Sequence, residues 1–186
     1  DLKPSPIEVR EAIKKTTLLS THYPDSPLTN LIRAGLYVIK SNTAIISEQD
    51  DIEIAEKYML NCFNRSKQIL YNSPNDGITY YTFYLSTYLL SDYYIEENKL
   101  VAASGIVEDF ISFSEDYELL SNLFPWPLVM SIGSVFKSSH QYEKTNKISK
   151  LALNNALHLN SPSENINSIY IRVARSYYDL EEYDSS

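Results

Sequence analysis

Residues of the types that carry catalysis or bind metal ions are scattered along this chain. The three histidines, His22, His140 and His158, are far apart, and none forms an H-E-x-x-H pair or a metal-ligand spacing with carboxylates. The sequence holds neither a G-x-S-x-G turn for a nucleophilic serine nor a glycine-rich phosphate loop. We therefore predict that each histidine lies on the surface or at a helix end, and we expect no enzymatic activity, no metal site and no cofactor.

Charge argues against nucleic-acid binding, and cysteine content argues against an internal disulfide. The formal net charge of −8 provides no bulk basic field for phosphates, so direct nucleic-acid binding by this segment is not expected. The single cysteine, Cys62, leaves no partner for a disulfide within the segment. Acidic pairs such as Glu108-Asp109 and Glu181-Glu182 fall at helix starts or on polar faces, where helix dipoles and solvation explain them.

Tyrosine is the one residue type that is clearly enriched. The chain has 16 tyrosines, and six of them lie between Tyr80 and Tyr94. One interpretation is core packing between helices, with each hydroxyl hydrogen-bonded locally. The other is that some hydroxyls face a groove, where tyrosine combines a large contact area with an adaptable hydrogen bond. The sequence leaves both interpretations open.

Helix-starting signals and scarce glycine indicate an all-α protein. Ser5-Pro6-Ile7-Glu8 has the order of a capping box, with proline at the first helical position, and residues 161–164 repeat that arrangement. No alternating strand pattern is present. The predicted helices span about 6–20, 27–46, 49–71, 77–95, 97–114, 116–123, 126–140, 143–159 and 163–183.

The helix predicted over 77–95 is apolar or aromatic on nearly every side. Such a helix is expected to lie buried between neighbouring helices. The run is too short and too polar to span a bilayer, since it contains Thr79, Ser86 and Asp92. No secretory signal is visible at the N-terminus either. We therefore expect a soluble, cytoplasmic protein without a membrane partner.

The last predicted helix resembles the first helix of a tetratricopeptide (TPR) repeat. A large residue at Tyr170 is followed by the small residue Ala174, by Tyr177 and by Leu180, and the same order recurs around Gly133. Looser matches place the small positions at residues 35, 85, 133 and 174, roughly 41–50 residues apart instead of the usual ~34. The resemblance implies a right-handed helical-repeat (TPR-like) solenoid of antiparallel helix pairs, with residues 1–186 forming a single domain.

In a TPR array, fixed positions of each repeat point into a concave face that binds peptides. Ser134 and Arg175 are equivalent positions one repeat apart, and lysine or arginine there would bind a peptide carboxylate or an acidic side chain. The resemblance implies the following peptide-contacting residues: Thr82, Ser86, Ser134, Lys137, Arg175 and Tyr178.

A more specific resemblance involves residues 78–85, residues 99–110 and the repeat-like region 128–183. Together they resemble the ligand-sensing part of the Rgg/MutR-type regulators, over about residues 27–183. These are bacterial cytoplasmic transcription factors with an N-terminal helix-turn-helix and a C-terminal TPR-like solenoid that binds short signalling peptides. The resemblance implies a homodimer with a peptide in its concave groove. It also implies that this chain is an excerpt of a longer protein, lacking the N-terminal helix-turn-helix.

The leading functional hypothesis is therefore the peptide-binding sensor domain of a cytoplasmic, quorum-sensing-type transcriptional regulator. The alternative is a TPR-like scaffold or adaptor whose groove or outer face docks a protein partner. An enzyme is the third class, and no arrangement of acid, base or nucleophile in the sequence favours it.

Overall fold

The computed structural model describes residues 4–43, 49–116, 133–137, 140–158 and 163–184. In this part of the chain all regular structure is α-helical, which confirms the predicted all-α class. Residues 133–137 are also helical, whereas the helix predicted over 116–123 lies almost entirely outside the described ranges. The helices are α1 (Pro6–His22), α2 (Pro27–Thr43), α3 (Gln49–Asn72), α4 (Gly77–Glu96), α5 (Leu100–Asp116), α6 (Tyr142–His158) and α7 (Ser163–Asp184).

Two side-chain caps explain where α1 and α4 begin. At α1 the Glu8 amide donates to Ser5 Oγ at 3.3 Å and the Ser5 amide donates to Glu8 Oε2 at 2.7 Å, so the predicted capping box is confirmed. At α4 the Asp76 carboxylate accepts hydrogen bonds from the amides of Ile78 and Thr79, each at 3.1 Å. Each cap satisfies amides that the first helical turn leaves without partners.

The chain divides into two compact units, Asp1–Ser86 and Thr87–Ser186, with the boundary inside α4. In the first unit α1 packs on α2 and α2 packs on α3. Helix α3 also contacts the beginning of α4, where the rings of Phe63 and Phe83 are 4.9 Å apart. The buried side of α3 follows helical spacing through Asp51, Ala55, Met59, Cys62, Phe63, Ser66 and Leu70.

In the second unit α6 packs on α7, and α5 reaches α6 through polar contacts. The buried residues Ala103, Val107 and Phe110 form an apolar stripe at helical spacing along α5. Gln141 donates to Ser104 Oγ at 2.9 Å, and Lys144 of α6 pairs with Glu108 of α5. Because these contacts flank the stripe, they fix the start of α6 relative to α5.

Helix α4 is less uniformly buried than its composition predicts. Tyr80 and Tyr94 are buried, whereas Ile78 and Tyr81 are exposed near the beginning of the helix. Burial raises the pKa of the Tyr80 hydroxyl well above its usual value, and the neighbouring Tyr84 adds to this shift. The tyrosines of this helix are therefore divided between core and surface. Among the described helices, none combines the length and the apolar character that crossing a membrane requires.

The small residues of the TPR template do not make the expected close helix contacts. A Cβ added at Gly35 or Gly133 meets no atom within 4 Å, and Ala174 is exposed. The buried face of α7 instead runs through Ile169 and Ser176. A small side chain permits close approach of two helices but does not enforce it, and here Ile169 and Ser176 make the contact.

Candidate ligand-binding cleft

A cleft of about 400 Å³ lies in the second unit, bounded by residues 133–137, α6 and α7. We refer to it as the cationic cleft. Its lining residues are Gly133, Ser134 and Lys137 from the short helical segment, Thr145 and Ser149 from α6, and Ile169, Arg172, Arg175, Ser176 and Asp179 from α7.

Helix α7 contributes the charged wall of the cleft. Its buried residues Ile169 and Ser176 face α6. Arg172, Arg175 and Asp179 follow one another at intervals of three and four residues, so they occupy successive turns along the side next to that buried face. The packing of α7 on α6 therefore places two guanidinium groups and one carboxylate along the same cleft.

The segment 133–137 is held by two buried side chains and a tight turn. Val135 and Phe136 are fully buried, which leaves Ser134 and Lys137 exposed. The Gln141 amide donates to the Phe136 carbonyl at 2.8 Å and the His140 amide donates to the Lys137 carbonyl at 3.1 Å. With His140 at a φ of 57°, this is the hydrogen-bond pattern of a Schellman motif. His140 therefore lies exposed in a turn, as predicted.

The charges of the cleft are opposite in sign to those of the chain as a whole. Among the described residues that line the cleft, Lys137, Arg172 and Arg175 give three positive charges against one carboxylate, that of Asp179. Their sum is +2, in a chain of net charge −8. Lys137 Nζ lies 2.6 Å from Asp179 Oδ2. Partial burial lowers the pKa of the Arg172 guanidinium, because desolvation disfavours its charge. The cleft is thus a local site for an anionic group.

Hydroxyl groups complete the lining. Thr145 Oγ1 donates to the Gln141 carbonyl at 3.2 Å, and Ser149 Oγ donates to the Thr145 carbonyl at 2.8 Å. A hydroxyl that donates to its own helix still has lone pairs with which it accepts a hydrogen bond from a ligand. The buried side chain of Ile169 supplies an apolar surface beside these polar groups.

Three of the six residues predicted to bind a peptide, Ser134, Lys137 and Arg175, lie together in the cationic cleft. Tyr178 is exposed on α7 but is not among the residues that line it. Arg172 and Asp179 were not predicted. Their signal was the spacing of three and four residues from Arg175, which places all three on one side of a helix.

The structure places Thr82 and Ser86 in the core instead of on a groove. Thr82 Oγ1 lies 3.1 Å from Ser66 Oγ and 2.8 Å from the Thr79 carbonyl, and Ser86 Oγ donates to the Phe83 carbonyl at 2.9 Å. Both side chains are buried. The burial of a hydroxyl costs little free energy when the group already hydrogen-bonds to its own helix. A polar residue type therefore did not guarantee exposure at these positions.

A second, more polar cleft of about 540 Å³ lies in the first unit between the α1–α2 turn, α2 and α3. Its one arginine, Arg65, is already engaged, with Nη2 3.2 Å from Asp25 Oδ2 and Nη1 donating to Gln68 Oε1 at 2.7 Å. Within the described ranges no cluster of His, Cys, Asp and Glu has the arrangement of a metal site. The cationic cleft is therefore the stronger candidate for ligand binding.

Comparisons of the chain with protein-family models, with curated proteins and with solved structures found no match.

Proposed function

We propose that this chain is a peptide-binding regulatory domain whose cationic cleft holds a short peptide or a segment of a protein. The observation that carries the proposal is that Ser134, Lys137 and Arg175 line one cleft. These residues lie up to 41 positions apart in the sequence, and the TPR template assigns all three to the ligand-facing surface.

The chemistry of the cleft suits a peptide. Lysine and arginine form charge-assisted hydrogen bonds to carboxylates, and the hydroxyls of Ser134 and Ser149 match the amides and carbonyls of a backbone. A volume of about 400 Å³ falls within the range of about 300–1,000 Å³ that is usual for ligand clefts. Such a volume admits a few residues of a peptide and not a folded domain.

The resemblance to Rgg/MutR-type regulators supports a role for the bound peptide as a signal. In this proposal the helices form a TPR-like solenoid of antiparallel pairs, and the protein acts as a homodimeric, cytoplasmic, quorum-sensing-type transcriptional regulator. The peptide would shift an equilibrium between two conformations, because a ligand acts through its different affinities for them. The domain binds its ligand and does not transform it.

One observation favours the alternative function, a scaffold or adaptor. Tyr170, Ile171, Tyr177 and Tyr178 are all exposed on one face of α7. At the edge of this face nearest α6, the ammonium of Lys150 lies 4.5 Å from the centre of the Tyr177 ring. Exposed aromatic residues of this kind are common at protein-binding surfaces. A scaffold would bind its partner through this face, and substitutions in the cationic cleft would then have little effect on binding.

Fluorescence polarisation tests the proposal directly. Pools of fluorescein-labelled heptapeptides are titrated into the wild-type chain and into Lys137→Met and Arg175→Met. We expect saturable binding to the wild type that is roughly tenfold weaker in either variant, the loss typical of a charge-assisted contact. Lys144→Met and Arg65→Met are matched controls, since both cations form ion pairs outside the cleft. Absence of saturable binding, or equal losses in the controls, would contradict the proposal.

A further inference from the structure

The ammonium group of Lys137 already holds a carboxylate from its own chain. Its Nζ lies 2.6 Å from Oδ2 of Asp179, and both residues line the cationic cleft. The Asp179 side chain is only 19% exposed, whereas that of Lys137 is 46% exposed. The pair therefore joins the segment 133–137 to α7 across the cleft, with the carboxylate on the more enclosed side.

We infer that Asp179 is an internal competitor for the ligand, and that the ligand carries a carboxylate which takes the place of Asp179 on Lys137. This inference rests on the proposed function. The position at Lys137 accepts a carboxylate, as Asp179 itself demonstrates. A neutral ligand that displaced Asp179 would leave the Lys137 ammonium without a carboxylate, so Asp179 selects ligands by charge.

The neighbouring charges favour the exchange. Arg172 and Arg175 line the same cleft as Lys137, so a ligand carboxylate arrives in a field of three cations. Asp179 lies four residues after Arg175 on α7, a spacing at which a released aspartate and an arginine are neighbours on the helix surface. The displaced carboxylate therefore finds a second cation without leaving its helix.

The test compares Asp179→Asn with Glu108→Gln. Glu108 forms a similar ion pair with Lys144 between α5 and α6 but does not line the cationic cleft, and its substitution removes the same charge. The probes are fluorescein-labelled heptapeptide pools with a free carboxyl terminus, the same pools with an amidated terminus, and pools without Asp and Glu. Fluorescence polarisation gives Kd, and thermal unfolding verifies that each variant is folded.

We expect Asp179→Asn to bind carboxylate-bearing pools roughly three- to tenfold more tightly than the wild type, since the internal pair no longer competes. Glu108→Gln should change Kd less than twofold. In the Lys137→Met background the gain from Asp179→Asn should disappear, because the shared cation is absent. A loss of affinity in the amidated pools would identify the ligand carboxylate as the terminal one. A loss in the pools without Asp and Glu would identify it as a side-chain carboxylate.

Two results would overturn the inference and leave the proposed function standing. One is wild-type binding that Asp179→Asn leaves unchanged or weakens. The other is an equal gain in Glu108→Gln, which would indicate a general effect of net charge. If no pool binds any variant, the proposed function fails together with the inference.

Discussion

Asn146 of α6 donates a hydrogen bond from Nδ2 to Oγ of Ser176 of α7, at 3.1 Å, and both side chains are buried. Ser176 Oγ in turn donates to the Val173 carbonyl at 2.8 Å. Since Ser176 also lines the cationic cleft, this contact connects the packing of the two helices to the position of the cleft wall.

Replacement of Ser176 by alanine should destabilise the second unit. The substitution leaves the buried Asn146 amide without this acceptor, at a cost of about 1–3 kcal/mol. Ser134→Ala is the control, because Ser134 lines the same cleft but is exposed and should change stability by less than about 0.5 kcal/mol. Urea unfolding followed by circular dichroism measures both, and equal midpoints would contradict the assigned contact.

The cap of α4 should make a pH-dependent contribution to stability. Hydrogen bonds from the Thr79 amide and hydroxyl, with a smaller effect from the Ile78 amide, lower the pKa of Asp76 below its usual value of 3.8. A lowered folded-state pKa gives a stabilisation that is present above the unfolded-state pKa and is lost as the pH falls through the folded-state value.

Asp76→Ala should therefore cost about 0.5–2 kcal/mol near neutral pH, and the difference from wild type should shrink in strong acid. Urea unfolding of both proteins at about pH 7 and about pH 2 measures the change. Asp25→Ala offers a comparison, because it removes another exposed carboxylate, one that pairs with Arg65 in the turn between α1 and α2. A cost for Asp76→Ala that is the same at both pH values would show that the carboxylate charge plays no part in the cap.

The thiol of Cys62 should be inert in the folded protein. Burial raises its pKa from 9.0 to about 11, with smaller opposing effects from hydrogen bonds to Ser86 and Ser66. Very little reactive thiolate is then present near pH 8, so a disulfide reagent should react slowly until the chain is unfolded in guanidinium chloride. Because the folded-state pKa is raised, stability should also fall as the pH rises from about 9 to about 11. Rapid labelling without denaturant would indicate an open path to the thiol.

Adjacent substitutions in α2 should have effects of opposite sign. Gly35→Ala should stabilise the chain by about 0.5–1 kcal/mol, because the new methyl group meets no neighbouring atom and the helix loses a flexible residue. Ala34→Leu should destabilise it by about 1–3 kcal/mol, since Ala34 is completely buried and the added volume must displace its neighbours. Thermal unfolding distinguishes the two. A destabilising Gly35→Ala would support the close helix contact that the TPR template assigns to position 35.

The elements of the fold could be predicted because their signals are local. Ser5 and Glu8 are three residues apart, and the stripe through Ala103, Val107 and Phe110 repeats at helical spacing, so neighbouring residues decide each feature. The cationic cleft was predicted only in part. Lys137 and Arg175 have recognisable positions in a template, but their proximity to each other depends on how the segment 133–137, α6 and α7 pack together.

The sequence was least informative for small and weakly polar residues. The hydroxyls of Thr82 and Ser86 donate to carbonyls of their own helix, so the burial of these side chains costs little free energy. Alanine is as compatible with an exposed surface as with a tight contact, and Ala174 is exposed. Whether such residues are buried or exposed is decided by the residues that pack against them, which lie far away in the sequence. Charged residues such as Arg175 are better predictors, because a buried charge would have to be paired.

The turn at His140 bears on the entropy of the proposed ligand binding. The Phe136 and Lys137 carbonyls are both engaged by amides of this turn. Hydrogen bonds within the chain thus hold the backbone at Lys137, so a ligand would meet an ordered backbone at this position. Under the proposed function, association would then require no folding of this segment, and the entropic cost of binding would be small there.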